Sequence, residues 1–318
     1  MTKERAMPNA QELLTAMLRI RLFEEKIVAL YPEQQMRTPV HLCLGQEAVP
    51  AGVCLSLRAD DVVCSTHRNH GHYLAKGGDP AALAAELYGR STGCARGKGG
   101  SMHSVDPEAG IYASTSIVGG SLPIAVGAAL AFSLRREPKV GVAFLGDGAT
   151  EEGVFHESCN LAALRRLPLL IVVEDNGFAT LSPKKQRQGY PGAAALARVY
   201  GLECFEVDGN DAPAVAAVAG PAIAAARAGR PALIQASTYR WLAHVGPVED
   251  TGLGHRTAAL LKAWKERCPI RALVAGLKMT EADLRAVSAP LEAEVEAAFD
   301  RARTAPEPSA EELLKNVF

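Results

Sequence analysis

Between Val140 and Ser237 the chain alternates short apolar runs with stretches whose apolar positions recur at helical spacing. VGVAFLGD, from Val140 to Asp147, is an apolar run closed by an acid and predicts a buried strand. EEGVFHESCNLAALRRL follows as a helix, and PLLIVVEDN predicts a second strand ending at Asp175 and Asn176. A helix around Ala193 to Tyr200 leads to a third strand in LECFEVDGND. The small-residue helix APAVAAVAGPAIAAARAG, expected to break near Gly220 and Pro221, leads to a fourth strand in PALIQASTYR. Apolar runs without alternation belong to parallel strands covered on both faces. Strand alternating with helix predicts an α/β fold with a doubly wound, mostly parallel sheet. The amphipathic N-terminus and the tail from Thr257 read as helices.

Composition sets the scale. With 318 residues and 48% hydrophobic content, the chain buries a large core. No repeat or linker interrupts it, so one domain is expected over 1–318, with an N-terminal helical arm over about 1–40 and a C-terminal helical region over about 257–318. A formal charge of −1 without a basic run argues against nucleic acid as a partner. Seven scattered cysteines without a C-x-x-C pair fit buried thiols in a reducing compartment. LPIAVGAALAFSL, from Leu122, is too short to span a bilayer, and the N-terminus lacks the apolar centre of a signal peptide. The expectation is a cytoplasmic protein with no membrane partner.

In a right-handed strand–helix–strand unit both parallel strands end at the same edge of the sheet. That brings Asp147 together with Asp175 and Asn176. The turn Gly146–Asp147–Gly148 is expected to open a helix, whose amino end favours anions. A carboxylate and an amide oxygen beside backbone N–H groups suit magnesium held with a diphosphate. Alone, a GDG would be an ordinary tight turn and Asn176 a strand cap.

Gly146–Asp147–Gly148 followed at this distance by Asp175–Asn176 resembles the thiamine diphosphate motif. HLCLGQEAVPAGV, THRNHGHYLAKG, LYGRSTGCARGKGGSMH, SIVGGSLPIAVGAALA and GDGATEEGVFHESCNLAA occur in that order. Together they resemble the alpha subunit of the thiamine diphosphate-dependent decarboxylating component of 2-oxo acid dehydrogenase complexes, with its pyruvate, acetoin and branched-chain types. The resemblance covers roughly Arg19 to Arg256. It implies magnesium on Asp147, Asn176 and the carbonyl of Phe178, and diphosphate on the N–H groups of Gly148 and Ala149 and on Arg68. It also implies the aminopyrimidine on the backbone of Ile117, Val118 and Gly119, with His70 and His244 facing the reacting centre. A beta subunit would supply the aminopyrimidine-activating glutamate in an α2β2 heterotetramer. The substrate would be a small 2-oxo acid or acyloin, and the acyl acceptor a lipoyl-bearing acyltransferase. A carboligase or non-oxidative decarboxylase subunit without a lipoyl partner, and a non-catalytic assembly subunit, are the alternatives.

The sequence departs from the resembled pattern at three places. Asp175 stands where an asparagine is usual, and His67 where a tyrosine is usual. The segment after Tyr239–Arg240 and His244 carries Val245–Gly246–Pro247 instead of a serine-bearing loop. Rich in glycine and poor in apolar residues, the segment from Tyr239 to Arg256 is expected to be a mobile lid. The histidines at 67, 70 and 72 lack cysteine or acidic companions at zinc spacing. GCARGKGG lacks the spacing of a phosphate loop and reads as a structural turn. His156 and Asn160, one helical turn apart, read as core residues, and Glu47 as a helix anchor.

Overall fold

The computed structural model describes residues 6–36 and 38–315. The first five residues and residue 37 of the expected N-terminal arm, and the last three of the C-terminal region, lie outside the described residues. Strands β1 (Val62–Thr66), β2 (Ile111–Thr115), β3 (Gly141–Gly146), β4 (Leu169–Asp175), β7 (Glu203–Asp208) and β8 (Ala232–Ser237) form one parallel sheet. Its order is β2-β1-β3-β4-β8-β7. Strands β5 (Phe178–Ala179) and β6 (Ser182–Pro183) make a small antiparallel hairpin just beyond β4.

The four strands expected from the apolar runs are β3, β4, β7 and β8. β1 and β2 add to them, and the pattern hid both for physical reasons. Each is five residues long, and β2 is an edge strand with Tyr112 exposed. From β1 the chain turns to β2 on one side, then crosses back to β3 on the other. That reversal opens a crevice at the carboxyl ends of β1 and β3.

Both faces of the sheet are apolar because successive side chains point to opposite sides. Val142 and Phe144 of β3 enter one core with Val215, Ile223 and Phe23. Ala143 and Leu145 enter the other with Leu122, Phe155 and Ala197. The helix Ala212–Arg227 runs unbroken through Gly220 and Pro221, contrary to expectation. Pro221 and Ala217 both lie on its exposed side, where water can meet the carbonyl that lost its donor. The buried stripe of Val215, Ala219, Ala222 and Ala226 holds the helix to the sheet.

The N-terminal helix Ala10–Leu30 starts on a reciprocal Asn9–Glu12 capping box. It packs into the body: Phe23 meets Phe299 of the C-terminal helix Glu281–Thr304 with ring centroids 5.0 Å apart. The glycine-rich segment after Tyr88 is a structural turn around a buried acid. The Glu86 carboxylate accepts from the N–H groups of Ala95 (2.8 Å), Gly97 (2.9 Å), Gly99 (2.7 Å) and Gly100 (3.0 Å). Glu47, fully buried at the start of the helix Ala48–Cys54, accepts from Arg21 Nε at 2.7 Å and Gly45 N–H at 3.0 Å. His156 bonds Tyr200 Oη at 3.0 Å on a half-buried face, and Asn160 is exposed, so neither is a core residue.

Candidate functional site

A pocket opens at the carboxyl edge of the sheet and takes its wall from five strand ends. Thr66 ends β1 and His67 and Arg68 follow it, while Thr115 ends β2 and Ser116 to Gly119 follow it. Gly146 ends β3 and Asp147 to Ala149 follow it, Asn176 and Phe178 follow β4, and His244 follows β8. His41 and Gln46 reach it from the loop before the Ala48–Cys54 helix. Of the residues expected at a site, every one except His70 lines this pocket.

Register explains the acidic floor. Gly146 pairs with Glu174 across β3 and β4, which sets Asp147 beside Asp175. Asp147 is 2% exposed. Burial raises its pKa, the neighbouring Asp175 adds to the rise, and Arg187 and Lys184 oppose it. Arg187 Nη2 sits 2.6 Å from Asp147 Oδ2, and the same guanidinium pairs with Glu151. Gly146–Asp147–Gly148 does not open an α-helix, as was expected. Asp147–Glu151 is a 3-10 turn, and the α-helix begins at Gly153 after an extended Glu152. The turn places Asp147, Gly148 and Ala149 on the pocket wall, whereas an immediate α-helix would carry them along its axis.

Asn176 accepts from the Phe178 N–H at 3.2 Å, an Asx turn that reverses the chain into the β5–β6 hairpin. Asp175, the departure from two asparagines, is held from below. Its carboxylate pairs with Lys184 Nζ and accepts from Gln235 Nε2 at 3.1 Å and Gly177 N–H at 3.3 Å. The charge introduced at Asp175 thus has its own cation.

Arg68 is buried, donates to the Leu42 carbonyl, and reaches the His244 carbonyl with Nη2 at 3.3 Å. Burial is the main cause lowering its pKa. His70 is fully enclosed: Nδ1 lies 3.1 Å from Glu24 Oε1 and Nε2 lies 2.9 Å from Ser101 Oγ. It begins the helix His70–Lys76 two residues beyond Arg68 and does not face the pocket. The histidines at 67, 70 and 72 therefore diverge, since His72 also turns inward to Ser65 Oγ at 2.7 Å. What converges instead is His41, His67 and His244, with ring centroids 4.7, 5.2 and 5.1 Å apart. Burial, followed by the charge of Arg68, lowers their pKa values to about 3, 2 and 4. All three are neutral at pH 7.

The segment from Tyr239 to Arg256 is pinned more firmly than its composition suggests. Buried Asp250 receives Arg256 Nη1 at 2.6 Å and Arg240 Nη1 at 3.3 Å. Arg256 Nε bonds Tyr239 Oη at 2.7 Å, and Gly246 N–H bonds the Val40 carbonyl at 2.8 Å. Charged groups thus replace the missing apolar anchors. Sequence reasoning missed His41, Gln46, Lys184 and Arg187. The cationic run KKQR, soon after Asn176, was the available signal for the last two.

The dehydrogenase E1 component family matches residues 15–311. The chain is 41% identical over 245 residues to the alpha subunit of acetoin:2,6-dichlorophenolindophenol oxidoreductase of Bacillus subtilis, covering 77% of this chain and 72% of the relative. It is 35% identical to the subunit of the same name in Cupriavidus necator, with 98% of this chain and 96% of that one covered. It is 36% identical to chloroplastic pyruvate dehydrogenase E1 component subunit alpha-3 of Arabidopsis thaliana, across 96% of this chain and 74% of the relative. Among the described residues no helix is long and apolar enough to cross a membrane. The fold, its crevice at the strand ends and these likenesses agree: the chain belongs to the dehydrogenase E1 component family, as an alpha subunit that works with thiamine diphosphate.

Proposed function

We propose that this alpha subunit serves an acetoin-type dehydrogenase, with magnesium holding the diphosphate of its cofactor at Asp147, Asn176 and the Phe178 carbonyl. The carrying observation is the meeting of a buried carboxylate, an amide and a chain reversal at adjacent strand ends, within one pocket. Such a donor set suits magnesium, which keeps few protein oxygens and shares the rest with phosphate. Burial and the neighbouring Asp175 raise the Asp147 pKa even though Arg187 and Lys184 oppose them, and a bound dication would favour the ionised form further.

Thiamine diphosphate, when bound, supplies an electron sink for cleaving the bond between a carbonyl carbon and its neighbour. Gly148 and Ala149 would turn their N–H groups to the diphosphate, and Arg68 would add a fixed guanidinium. The backbone of Ile117, Val118 and Gly119 would seat the aminopyrimidine. His244, neutral at pH 7, would accept or donate a proton at a ring nitrogen rather than act as a fixed cation. His70 would be a positioning residue that, through Glu24 and Ser101, orients the His67–Arg68 segment.

A beta subunit would supply the glutamate for the aminopyrimidine, and a lipoyl-bearing acyltransferase would take the acyl group. Ile117, Val118, Ile124 and Leu134, and Leu161 and Leu164 of the next helix, are exposed apolar side chains that would offer that beta subunit surface to cover. The acetoin reading is favoured by the two oxidoreductase relatives and by the absence of a serine-bearing loop after His244. A 2-oxo acid is the second reading, supported by the pyruvate dehydrogenase relatives. Reduction of 2,6-dichlorophenolindophenol by the assembled complex should proceed faster with acetoin than with pyruvate or a branched 2-oxo acid. Preference for a 2-oxo acid would move the assignment to the second reading.

A further inference from the structure

The geometry points to a second metal site in this chain: His41, His67 and His244 form a three-imidazole site for a first-row divalent ion of the zinc class. Its donors differ in residue and in chemistry from Asp147 and Asn176 but line the same pocket, and an ion held there would occupy His244 in place of the proton-transfer role proposed for it with cofactor bound.

Three segments far apart in sequence bring these rings together. His41 comes from the loop before the Ala48–Cys54 helix, His67 from the end of β1, and His244 from the segment after β8. One ligand nitrogen from each lies within 4.8 Å of the other two. Nitrogens bound tetrahedrally at 2.0–2.1 Å stand roughly 3.3 Å apart, so closure asks each ring to move by about 1 Å.

The rings are ready to bind. His41 is 6% exposed, and its buried Nδ1 has no hydrogen-bond partner. A buried polar nitrogen without a partner is costly and calls for an explanation. Among the described residues no hydrogen bond or ion pair engages the ring of His67 or His244. Burial beside Arg68 keeps all three rings unprotonated at pH 7, the form that ligates.

The donor set selects the ion. Three neutral nitrogens and no carboxylate favour zinc, copper, nickel or cobalt over magnesium or calcium. Arg68 and Arg240 act on the cluster and oppose any cation, while Asp250 partly offsets them at His244. An ion held mainly by charge would lose to that arrangement, whereas one held by strong nitrogen bonds would not. Three protein ligands leave one position toward the pocket for an oxygen ligand, as in open zinc sites.

Cobalt(II) is the probe, because its visible absorption reports four-coordinate geometry. The full-length chain, assembled with its beta subunit, is titrated in excess magnesium without cofactor, so that the oxygen site is blocked. The expected result is one cobalt per alpha chain with the intense band of a tetrahedral ion. His67→Tyr, which places at that position the residue usual in related chains, should weaken binding about 100-fold, the upper end of what losing even an indirect partner costs. His41→Gln should do the same, with far-UV circular dichroism confirming that both variants fold. Asp147→Ala should keep the band, which separates this site from the magnesium assignment. No tetrahedral band in the unmodified complex, or a band undiminished in both histidine variants, would overturn the proposal.

Discussion

Arg187 Nη2 lies 2.6 Å from Asp147 Oδ2, so the acid assigned to magnesium already has a cation from its own chain. The guanidinium comes from just beyond the β5–β6 hairpin and also holds Glu151. A dication and a guanidinium compete for the same carboxylate. Arg187→Gln should therefore tighten magnesium binding several-fold in the presence of thiamine diphosphate, read from magnesium titration of the melting temperature. Weaker magnesium binding would mean that Arg187 orients Asp147 rather than competing for it.

Removing the oxygen donors has the opposite effect. Asp147→Ala and Asn176→Ala should each abolish the magnesium-dependent stabilisation of the assembled complex by cofactor. At a hundred times its dissociation constant, the cofactor contributes about 2.7 kcal/mol. A full melting shift in both variants would refute the ligand assignment.

The histidine cluster gives stability a pH dependence. Burial holds His41, His67 and His244 at about 3, 2 and 4 in the folded chain, below the ordinary 6.5. The unfolded chain takes up protons first as the pH drops. Their contribution is complete above 6.5 and is lost progressively as the pH falls toward 4. In metal-free buffer the urea midpoint of the unmodified chain should drop between pH 6.5 and 4. His67→Tyr should flatten that slope in part, and an unchanged slope would show that the half-buried His67 contributes nothing to it.

Asp250 is the shared partner of Arg240 and Arg256. Burial pushes its pKa up, but Arg256 and Arg240 outweigh that and hold it below the usual range. Asp250→Asn leaves two buried guanidinium groups uncompensated, at a cost of about 3–5 kcal/mol. Limited proteolysis between residues 241 and 249 should accelerate in this variant with or without cofactor. Equal cleavage of both proteins would show that the segment is anchored elsewhere.

Glu86 gathers four backbone N–H groups of the glycine-rich turn. Glu86→Ala should destabilise the chain by about 2–3 kcal/mol, since those donors lose a charged acceptor in a partly buried turn. Glu86→Gln keeps one acceptor oxygen and should cost less. Denaturant midpoints of the two variants test the order.

Much of the fold was legible along the chain. The unbroken apolar runs that became β3, β4 and β8 could only be strands covered on both sides, and their polar ends marked the edge where chemistry collects. Asp147 and Asn176 were readable for that reason, because local strand ends and a right-handed crossover suffice to bring them together. β1 and β2 were too short to announce themselves, and Pro221 suggested a break that the buried side of its helix prevents.

The sequence by itself determined the α/β class, the acidic edge and the family, since each rests on local pattern or on contiguous blocks. Only the tertiary structure decided which histidines meet. His67, His70 and His72 are neighbours in sequence, yet the end of β1 sends the first to the pocket and the helix start turns the other two inward. His41 and His244 join His67 across long stretches of chain because their segments pack at the same sheet edge. Arg187 reaches Asp147 in the same way, across a helix, a strand and a hairpin. Spacing along the chain carries no information about such meetings; they follow from the path the backbone takes once the core is buried.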